Sequence, residues 1–356
     1  MRSRRLTHGS DSLNSGVWPV KTDRLITATE HFFTRSHAPI PSIDVRTWRL
    51  EVGGLVERPA QFSMAELTRE FPTDEVTATV ACAGLRREEF LSLGPLPGEL
   101  PWGPEPISTG HWAGVSLAAV LQAVGVSSRA RHVEFVGLDQ VARHGRTFGF
   151  GGSVDMSKAL QGDVLLATTM NGAPLAPQHG YPLRVLVPGW IGARSVKWLG
   201  RINLLEEPSD NYFQARAYRS QREASAHDLR DVSQGVALTA IPVNSVIVDP
   251  VRHAVLRSGS QIVRGWAIGS NGEPVRSVEI SPDGGNSWSR ARITLAGEKW
   301  TWSFWEGEVT LRPGGYELAA SATDTRGATQ PATIDETWNV KGYNNNAWHR
   351  VPVIVQ

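Results

Sequence analysis

Stretches of alternating or β-branched residues mark the first strands of the chain. Residues 47–55 read TWRLEVGGL, an alternation of apolar and polar positions that predicts a strand ending in a glycine turn. Residues 76–83 read VTATVACA, a run rich in β-branched residues that predicts a buried strand. This second strand delivers Cys82 at its end, and Gly84 permits a sharp turn directly after it.

Capping residues and helical periodicity predict two short helices. Ser63 and Glu66 have the spacing of a capping box, which predicts a helix that begins directly after Ser63. Residues 115–124 read VSLAAVLQAV, an amphipathic pattern that predicts a second helix closed by Gly125. Both helices are short, so we expect them to pack on sheets rather than to form a bundle.

Loops and short apolar runs indicate a mixed first domain. Residues 92–106 carry five prolines and three glycines, too many for regular structure, so Trp102 is expected on a long loop. Residues 131–203 hold short apolar runs separated by Gly, Pro and Asn, a pattern typical of several strands. Together with the helices, these strands predict an α+β domain over residues 23–234.

The composition changes in the last third of the chain. Residues 208–235 are polar and charged, which is typical of a connecting segment on the surface. The short alternating strands that follow come without helices, and their spacing predicts an immunoglobulin-like β-sandwich over residues 235–356. We therefore expect two domains, preceded by a disordered lead-in over residues 1–22.

Charge and hydropathy exclude several classes of protein. The 36 Lys and Arg oppose 35 Asp and Glu, so the net charge of +1 gives no indication of a nucleic-acid partner. No apolar run approaches the roughly 20 residues of a membrane span. Arg4 and Arg5 raise the question of an export signal, but residues 6–14 lack the apolar segment that such a signal needs. We therefore expect a cytoplasmic protein without a membrane span.

Cys82 is the single cysteine, which excludes an intramolecular disulfide, a cysteine-rich zinc site and a cysteine-held iron–sulfur cluster. It opens the sequence CAGLRR, and nearby cations favour the thiolate that binds metals or attacks electrophiles. Two other interpretations stay open from the residues alone. The cysteine packs as a small buried hydrophobe, or the arginines form ion pairs with Glu88 and Glu89.

CAGLRR resembles the molybdenum-ligand motif of the sulfite oxidase family, whose usual form has Asn where this chain has Leu85. Four other segments are similar to the same family in the same order, namely HFFTRSHAPIP (31–41), GHWAGVSLAAVL (110–121), HGYPLRVLVPGWIGARSVKWLGRI (179–202) and WNVKGYNNNAWHRV (338–351). The resemblance spans about residues 30–351 and both expected domains. On it, the chain is identified as a member of the haem-free, two-domain type of that family.

The resemblance implies a cofactor made of molybdenum and molybdopterin. By motif position, Cys82 supplies the protein thiolate that binds the metal. The residues implied to bind the pterin and its phosphate are Phe33, Thr34, Arg35, Ser36, His37, Asp139, His179, Arg184, Ser195, Val196 and Lys197. Their Arg and Lys side chains suit a phosphate. Gly189 and Gly192 would let the backbone approach the cofactor closely.

The same resemblance implies a pocket for a sulfite-sized anion. The residues implied to be catalytic are Arg35, Arg87, Trp102, Tyr218 and Lys341. Lys341 stands where the family carries an arginine from the second domain, and lysine keeps the charge but loses the planar fork. This departure puts the affinity and selectivity for the anion in question. Ser36 and Leu85 replace asparagines that are usual in the family, so each removes an amide.

The implied function is oxidation of sulfite to sulfate by oxygen-atom transfer at a molybdenum–thiolate centre. Electrons then pass to a separate acceptor, a cytochrome or dioxygen, because the sequence holds no CxxCH haem motif. The second domain is expected to form a homodimer. The alternatives are a nitrate reductase or an S-oxide reductase of the same superfamily, or a cofactor-free relative that acts through its sandwich. Retention of Cys82, Arg184 and Lys197 argues against the cofactor-free relative.

Overall fold

The computed structural model describes residues 3–8, 13–221 and 235–356. Strands dominate this part of the chain, while its helices are few and short. The mixed first domain that the sequence predicts is therefore built mostly from sheets. Within the same ranges, we find no helix that is both long and apolar enough to cross a membrane.

A five-stranded sheet forms one half of the first domain. Its strands are, in order, Gly151–Asp155, His132–Gly137, Leu199–Leu205, Leu50–Gly54 and Ala60–Phe62. Leu199–Leu205 and Leu50–Gly54 run parallel, and the other neighbours are antiparallel. The strand predicted within residues 47–55 is thus confirmed, and its inward-facing residues contribute to the main apolar core.

A second sheet of the first domain carries the cysteine. Its strands are, in order, Ala173–Pro174, Leu165–Met170, Ile107–Ser116 and Thr73–Ala81, with Arg184–Leu186 paired to Leu165–Met170. The strand predicted over residues 76–83 is confirmed, but it begins earlier and ends at Ala81. Cys82 is therefore the first residue beyond the sheet, and its backbone N–H donates to the carbonyl of Pro106 at 2.9 Å.

Three α-helices occur in the described residues, namely Met64–Glu70, Leu117–Val124 and Met156–Ala159. Ser63 and Glu66 form the predicted capping box at the first of them. The second helix begins two residues later than predicted because the preceding strand continues to Ser116. Gly125 closes this helix with a φ of 71°, a conformation that favours glycine.

Short elements complete the secondary structure of the described residues. They are the 3₁₀ turns Thr29–His31, Arg87–Ser92, Pro177–His179, Gly192–Arg194, Ser270–Gly272 and Asp335–Thr337, the π-helix Phe213–Ala217, and the strand pairs Val141–Arg143 with Arg146–Phe148 and Arg219–Ser220 with Val236–Ala237. Several of these turns border the cavity described below. Two of them, Pro177–His179 and Gly192–Arg194, contribute residues to its wall.

The disordered lead-in predicted over residues 1–22 was wrong where the structure describes it. Arg4–Thr7 and Ser15–Trp18 form an antiparallel pair, while residues 9–12 lie outside the described residues. Backbone hydrogen bonds of 3.0 and 2.8 Å join Ser15 and Thr34 in both directions. The polar composition concealed this order because backbone hydrogen bonding to a neighbouring segment secures the strand.

Two sheets make up the second domain. The first contains Asn244–Asp249, Gly259–Ile268, Ser303–Leu311 and Arg292–Leu295, and the second contains Val255–Leu256, His349–Val355, Gly314–Asp324, Val275–Ser281 and Ser289–Arg290, each in spatial order. One apolar core contains Trp305 from the first sheet together with Ile280 and Leu318 from the second. The structure thus has the two-layer packing that the sequence predicts. Its assignment to the immunoglobulin-like type stays a prediction.

Leu85 and Arg86 join the two domains. Leu85 is 4% exposed and belongs to an apolar cluster that includes Trp266 of the second domain. Arg86 is fully buried, donates to Asn244 Oδ1 at 2.8 Å and pairs with Glu89 at 2.7 Å. The ion pair that the sequence left open is therefore confirmed for Arg86 with Glu89. Leu85 takes the place of an amide because its surroundings are apolar.

We expect Leu85→Asn to lower the free energy of unfolding by about 2–4 kcal/mol, because an amide would be buried among apolar groups. Urea unfolding followed by tryptophan fluorescence measures the change. Leu85→Met preserves the volume and is the matched control, with an expected loss below about 1.5 kcal/mol. Equal stability of the Asn variant and the wild type would contradict this account of the domain junction.

Candidate active site

Loops at the ends of the first domain's strands enclose a cavity of about 700 Å³, a volume that includes its open mouth. The predicted site residues that line it are Phe33, Thr34, Arg35, Ser36, His37, Cys82, Asp139, His179, Arg184, Ser195, Lys197 and Tyr218. These residues are far apart along the chain. The fold therefore brings most of the predicted cofactor set to one place.

Cys82 lies on the wall of this cavity with its side chain partly exposed. The turn after the strand directs the backbone N–H of Gly84 to its Sγ at 3.4 Å. Its sulfur is a soft donor and therefore a good ligand for a soft metal. Arg86 binds the other domain, so the backbone rather than this neighbouring arginine contacts the sulfur.

Arg184, which is buried, and Lys197, which is half-buried, are cationic side chains that face the same cavity. Arg184 is 5% exposed and donates to the backbone carbonyls of His179 at 3.1 Å and Ser195 at 3.0 Å. The Nζ of Lys197 donates to Ser36 Oγ at 2.8 Å. Across residues 3–8, 13–221 and 235–356, neither cation forms an ion pair within 4.0 Å. Their hydrogen bonds satisfy donors, and the Asp139 carboxylate acts on Lys197 from beyond that distance, so it compensates the positive charge only in part.

Burial controls the protonation of this cluster. It lowers the pKa of Arg184 to about 10 and, together with the charge of Arg184, holds the pKa of Lys197 well below its usual range. Burial and Arg184 also lower the pKa of His179 to about 3, so this imidazole is neutral near pH 7. A bound anion would reverse these shifts because it favours the protonated forms.

Asp139 and Ser195 brace the cavity walls. Asp139 Oδ1 accepts a hydrogen bond from the backbone N–H of Phe150 at 2.9 Å, and burial raises the pKa of this carboxyl group. Ser195 Oγ accepts from the backbone N–H of Val187 at 3.0 Å. Ser36, which stands at a usual asparagine position, retains a polar contact through its hydroxyl with Lys197.

These residues fit an anionic cofactor that is bound by a thiolate. Burying a charge is costly unless the charge is paired, and Arg184 and Lys197 have no carboxylate in the described chain to pair with them. A phosphate would supply the missing negative charge, and Cys82 offers a soft ligand to a metal. The donor set therefore suits molybdopterin, with its phosphate at the cations and its molybdenum at the sulfur.

Tyr218 and His37 form a second polar face of the cavity. The Tyr218 hydroxyl and His37 Nε2 lie 3.2 Å apart and share a hydrogen bond. Burial raises the pKa of Tyr218 and lowers the pKa of His37, so both side chains are neutral near pH 7. Arg35 lines the same cavity and donates to Asn14 Oδ1 at 3.0 Å.

Four predicted residues lie outside the cavity wall, namely Arg87, Trp102, Val196 and Lys341. Arg87 and Lys341 both pair with Glu99, at 3.2 and 3.0 Å. Trp102 is fully buried on its loop, and the side chain of Val196 belongs to the apolar core. The structure therefore separates this group from the residues that surround the cavity.

The expectation that Gly189 lets the backbone approach the cofactor was wrong. Its φ is 77°, and a Cβ there would lie 2.4 Å from the ring of Trp300 in the second domain. This glycine therefore permits the two domains to approach each other. Gly192 does line the cavity, and it also packs against Val80 of the cysteine strand.

Tyr343 and Glu99 are residues near the site that sequence reasoning missed. Tyr343 stacks on Tyr218 with 5.3 Å between ring centres. The guanidinium of Arg87 lies 4.9 Å from the ring centre of Tyr343. Tyr343 could have been found from the sequence, because it lies two residues after Lys341 in the segment 338–351 that resembles the family. Glu99 lies in the proline-rich loop that drew attention for Trp102, but nothing in the sequence linked it to a cation.

We expect Lys197→Met to have opposite effects on cofactor-free and loaded protein. Without cofactor, the variant should gain about 1–3 kcal/mol of stability because it removes a half-buried amine that has no ion-pair partner within 4.0 Å. The gain should shrink as the pH rises toward 10.5, the ordinary lysine pKa, because the unfolded chain then loses its proton too. In loaded protein, the variant should retain less molybdenum and pterin.

Urea unfolding between pH 7 and pH 9.5 and metal analysis measure these effects. Lys299→Met is the matched control, since Lys299 is exposed and pairs with Asp163 at 3.3 Å. It should change neither quantity appreciably. A Lys197→Met protein that is less stable without cofactor, or that keeps its full cofactor content, would contradict this account of the cavity.

Family models match both parts of the chain. Residues 37–213 match the oxidoreductase molybdopterin binding domain, and residues 236–356 match the Mo-co oxidoreductase dimerisation domain. Sulfite oxidase of Gallus gallus is 38% identical, with 92% of this chain and 73% of that protein covered. Mitochondrial sulfite oxidase of Homo sapiens is 36% identical, with 94% and 62% covered.

Two further comparisons widen the range of related enzymes. A nitrate reductase [NADH] of Phaseolus vulgaris is 34% identical, but the chain covers only 39% of it. The crystal structure of the sulfane dehydrogenase SoxCD from Paracoccus pantotrophus superimposes with a TM-score of 0.79 at 25% identity, covering 98% of this chain and 87% of that one. The chain thus spans 62% of the human relative and most of the avian one. It belongs to the sulfite oxidase family of molybdopterin-binding oxidoreductases.

Proposed function

We propose that the protein oxidises sulfite to sulfate by oxygen-atom transfer and passes the electrons to a separate acceptor. The observation that carries this proposal is the convergence of Cys82, Arg184, Lys197 and Arg35 on one cavity. Cys82, Arg184 and Lys197 suit the cofactor, and Arg35 offers charge for a small anion. Relatives named sulfite oxidase, at 36–38% identity, support sulfite as that anion.

The cofactor supplies the redox chemistry in this proposal, and the chain binds the cofactor. When bound, molybdopterin supplies a molybdenum centre that transfers an oxygen atom and accepts two electrons. Cys82 holds the metal through its thiolate, while Arg184 and Lys197 hold the phosphate. The burial of Arg184 strengthens its interaction because water screens it little.

Arg35 and Tyr218 recognise the substrate in this proposal. The guanidinium of Arg35 attracts the dianion and orients it by charge-assisted hydrogen bonds. Burial keeps the Tyr218 hydroxyl protonated, so it donates to a substrate oxygen, and His37 fixes its orientation. Phe150 and Phe213 pack on the His37 ring, with ring centres 4.8 and 4.5 Å away, and exclude water from that side.

The expected partners and location remain part of the proposal. The description of the second domain's family as a dimerisation domain supports a homodimer formed through that domain. A cytochrome or dioxygen is the proposed electron acceptor. We also keep the immunoglobulin-like type of the second domain and the cytoplasmic location as proposals, and the two-layer core supports the first of them.

We expect molybdenum-loaded protein to reduce ferricyanide when sulfite is added. Cys82→Ser should lose at least about a hundredfold in turnover, since even outer contacts of a metal site are worth 10–100-fold. Molybdenum content measured on both proteins separates loss of metal from loss of chemistry. Nitrate and S-oxide reduction by the same preparations test the two alternatives. Fully metallated wild type that reduces nitrate and ignores sulfite would contradict the proposal.

A further inference from the structure

The carboxylate of Glu99 lies between two cations that come from different domains. One oxygen accepts from the Nζ of Lys341 at 3.0 Å, and the other pairs with a terminal nitrogen of Arg87 at 3.2 Å. The side chains of Glu99, Lys341 and Arg87 are 15%, 21% and 4% exposed, so solvent and salt screen them weakly. We call these three residues the Glu99 triad.

The Glu99 triad lies one aromatic ring behind the cavity. Arg87 lies 4.9 Å from the ring centre of Tyr343, and Tyr343 stacks on Tyr218, which lines the cavity with Cys82. Burial, and after it the charge of Glu99, raises the pKa of Tyr343, so the field of the carboxylate reaches this ring. An anion in the cavity therefore experiences the two cations and the carboxylate together.

The contacts of Arg87 show that the carboxylate is not needed to place it. The Nε of Arg87 donates to the backbone carbonyl of Lys341 at 2.9 Å, and one terminal nitrogen donates to that of Leu100 at 3.0 Å. Loss of the charge on Glu99 would leave these bonds intact. The amine of Lys341 is different, because Glu99 is its hydrogen-bond partner within the described chain.

We propose that Glu99 is an internal counter-anion that sets how tightly the cavity binds oxyanion dianions. A dianion attracted to Arg35 has to compete with the Glu99 carboxylate for the charges of Lys341 and Arg87. The flexible stem of Lys341 lets its amine exchange one partner for the other, which a planar arginine fork does less readily. Glu99 thus weakens the binding of substrate and product alike and favours release of the product. The choice of sulfite and sulfate as these anions rests on the proposed function.

Calorimetric titration of molybdenum-loaded protein with inorganic sulfate at low, fixed ionic strength tests this role. Glu99→Gln removes the charge and keeps the shape, and we expect its sulfate Kd to fall about tenfold. The ratio of the two Kd values should persist at moderate salt, because these side chains are screened weakly. Glu317→Gln is the matched control, since Glu317 pairs with Arg350 at 2.6 Å in a sheet of the second domain. Its sulfate Kd should equal that of the wild type.

A second variant and a double variant keep the test decisive. Glu99→Ala should change the Kd in the same direction, which covers poor folding of the amide variant. In a Lys341→Met background, the gain from Glu99→Gln should become smaller because Glu99 acts through that amine. A purely structural link between the domains predicts a lower thermal midpoint with a sulfate Kd that is unchanged or raised. That result would overturn the proposal.

Turnover measured on the same preparations separates this inference from the proposed function. If Glu99→Gln binds sulfate more tightly but the protein does not oxidise sulfite, the role of Glu99 is supported and the proposed sulfite oxidation is contradicted. If the protein oxidises sulfite and Glu99→Gln leaves the sulfate affinity unchanged, sulfite oxidation is supported and the proposed role of Glu99 is contradicted.

Discussion

Two cationic side chains, Arg184 and Lys197, form no ion pair within 4.0 Å in the described chain and determine what the cavity has to hold. Backbone carbonyls accept the hydrogen bonds of Arg184, and Ser36 accepts one from Lys197, but neither partner supplies negative charge. Such charge is costly to bury, and burial holds the pKa of Lys197 well below its usual range. An anionic cofactor removes this cost, so its binding and the stability of the fold are linked.

The second domain packs directly behind the cavity that the first domain forms. Gly189 permits close contact with Trp300, while Leu85 and Arg86 fix the chain just after Cys82 to the second domain. The same junction brings Tyr343 and its neighbour Lys341 to the back of the cavity. A change in how the domains pack would therefore reach the Tyr218 side of the cavity through Tyr343.

Local patterns predicted the parts of the structure that depend on neighbours in the sequence. The β-branched run before Cys82 and the capping box at Ser63 each involve a few adjacent residues, and both predictions are confirmed. The partners of Arg87 and Lys341 depend on a proline-rich loop that no periodicity describes. The hairpin of the lead-in escaped prediction for a related reason, since its order comes from hydrogen bonds to a segment about twenty residues away. The roles of the site residues stay predictions, although the fold gathers most of them around one cavity.

Elemental analysis tests the central claim most directly. The protein would be purified from a host that makes molybdopterin, and its molybdenum and phosphorus would be counted per chain. Arg184 and Lys197 lack an ion-pair partner within 4.0 Å in the described chain, and Cys82 has a free thiol. We therefore predict close to one molybdenum and one tightly held phosphorus per folded chain. A folded protein that carries neither element, with the host's cofactor in excess, would contradict the account.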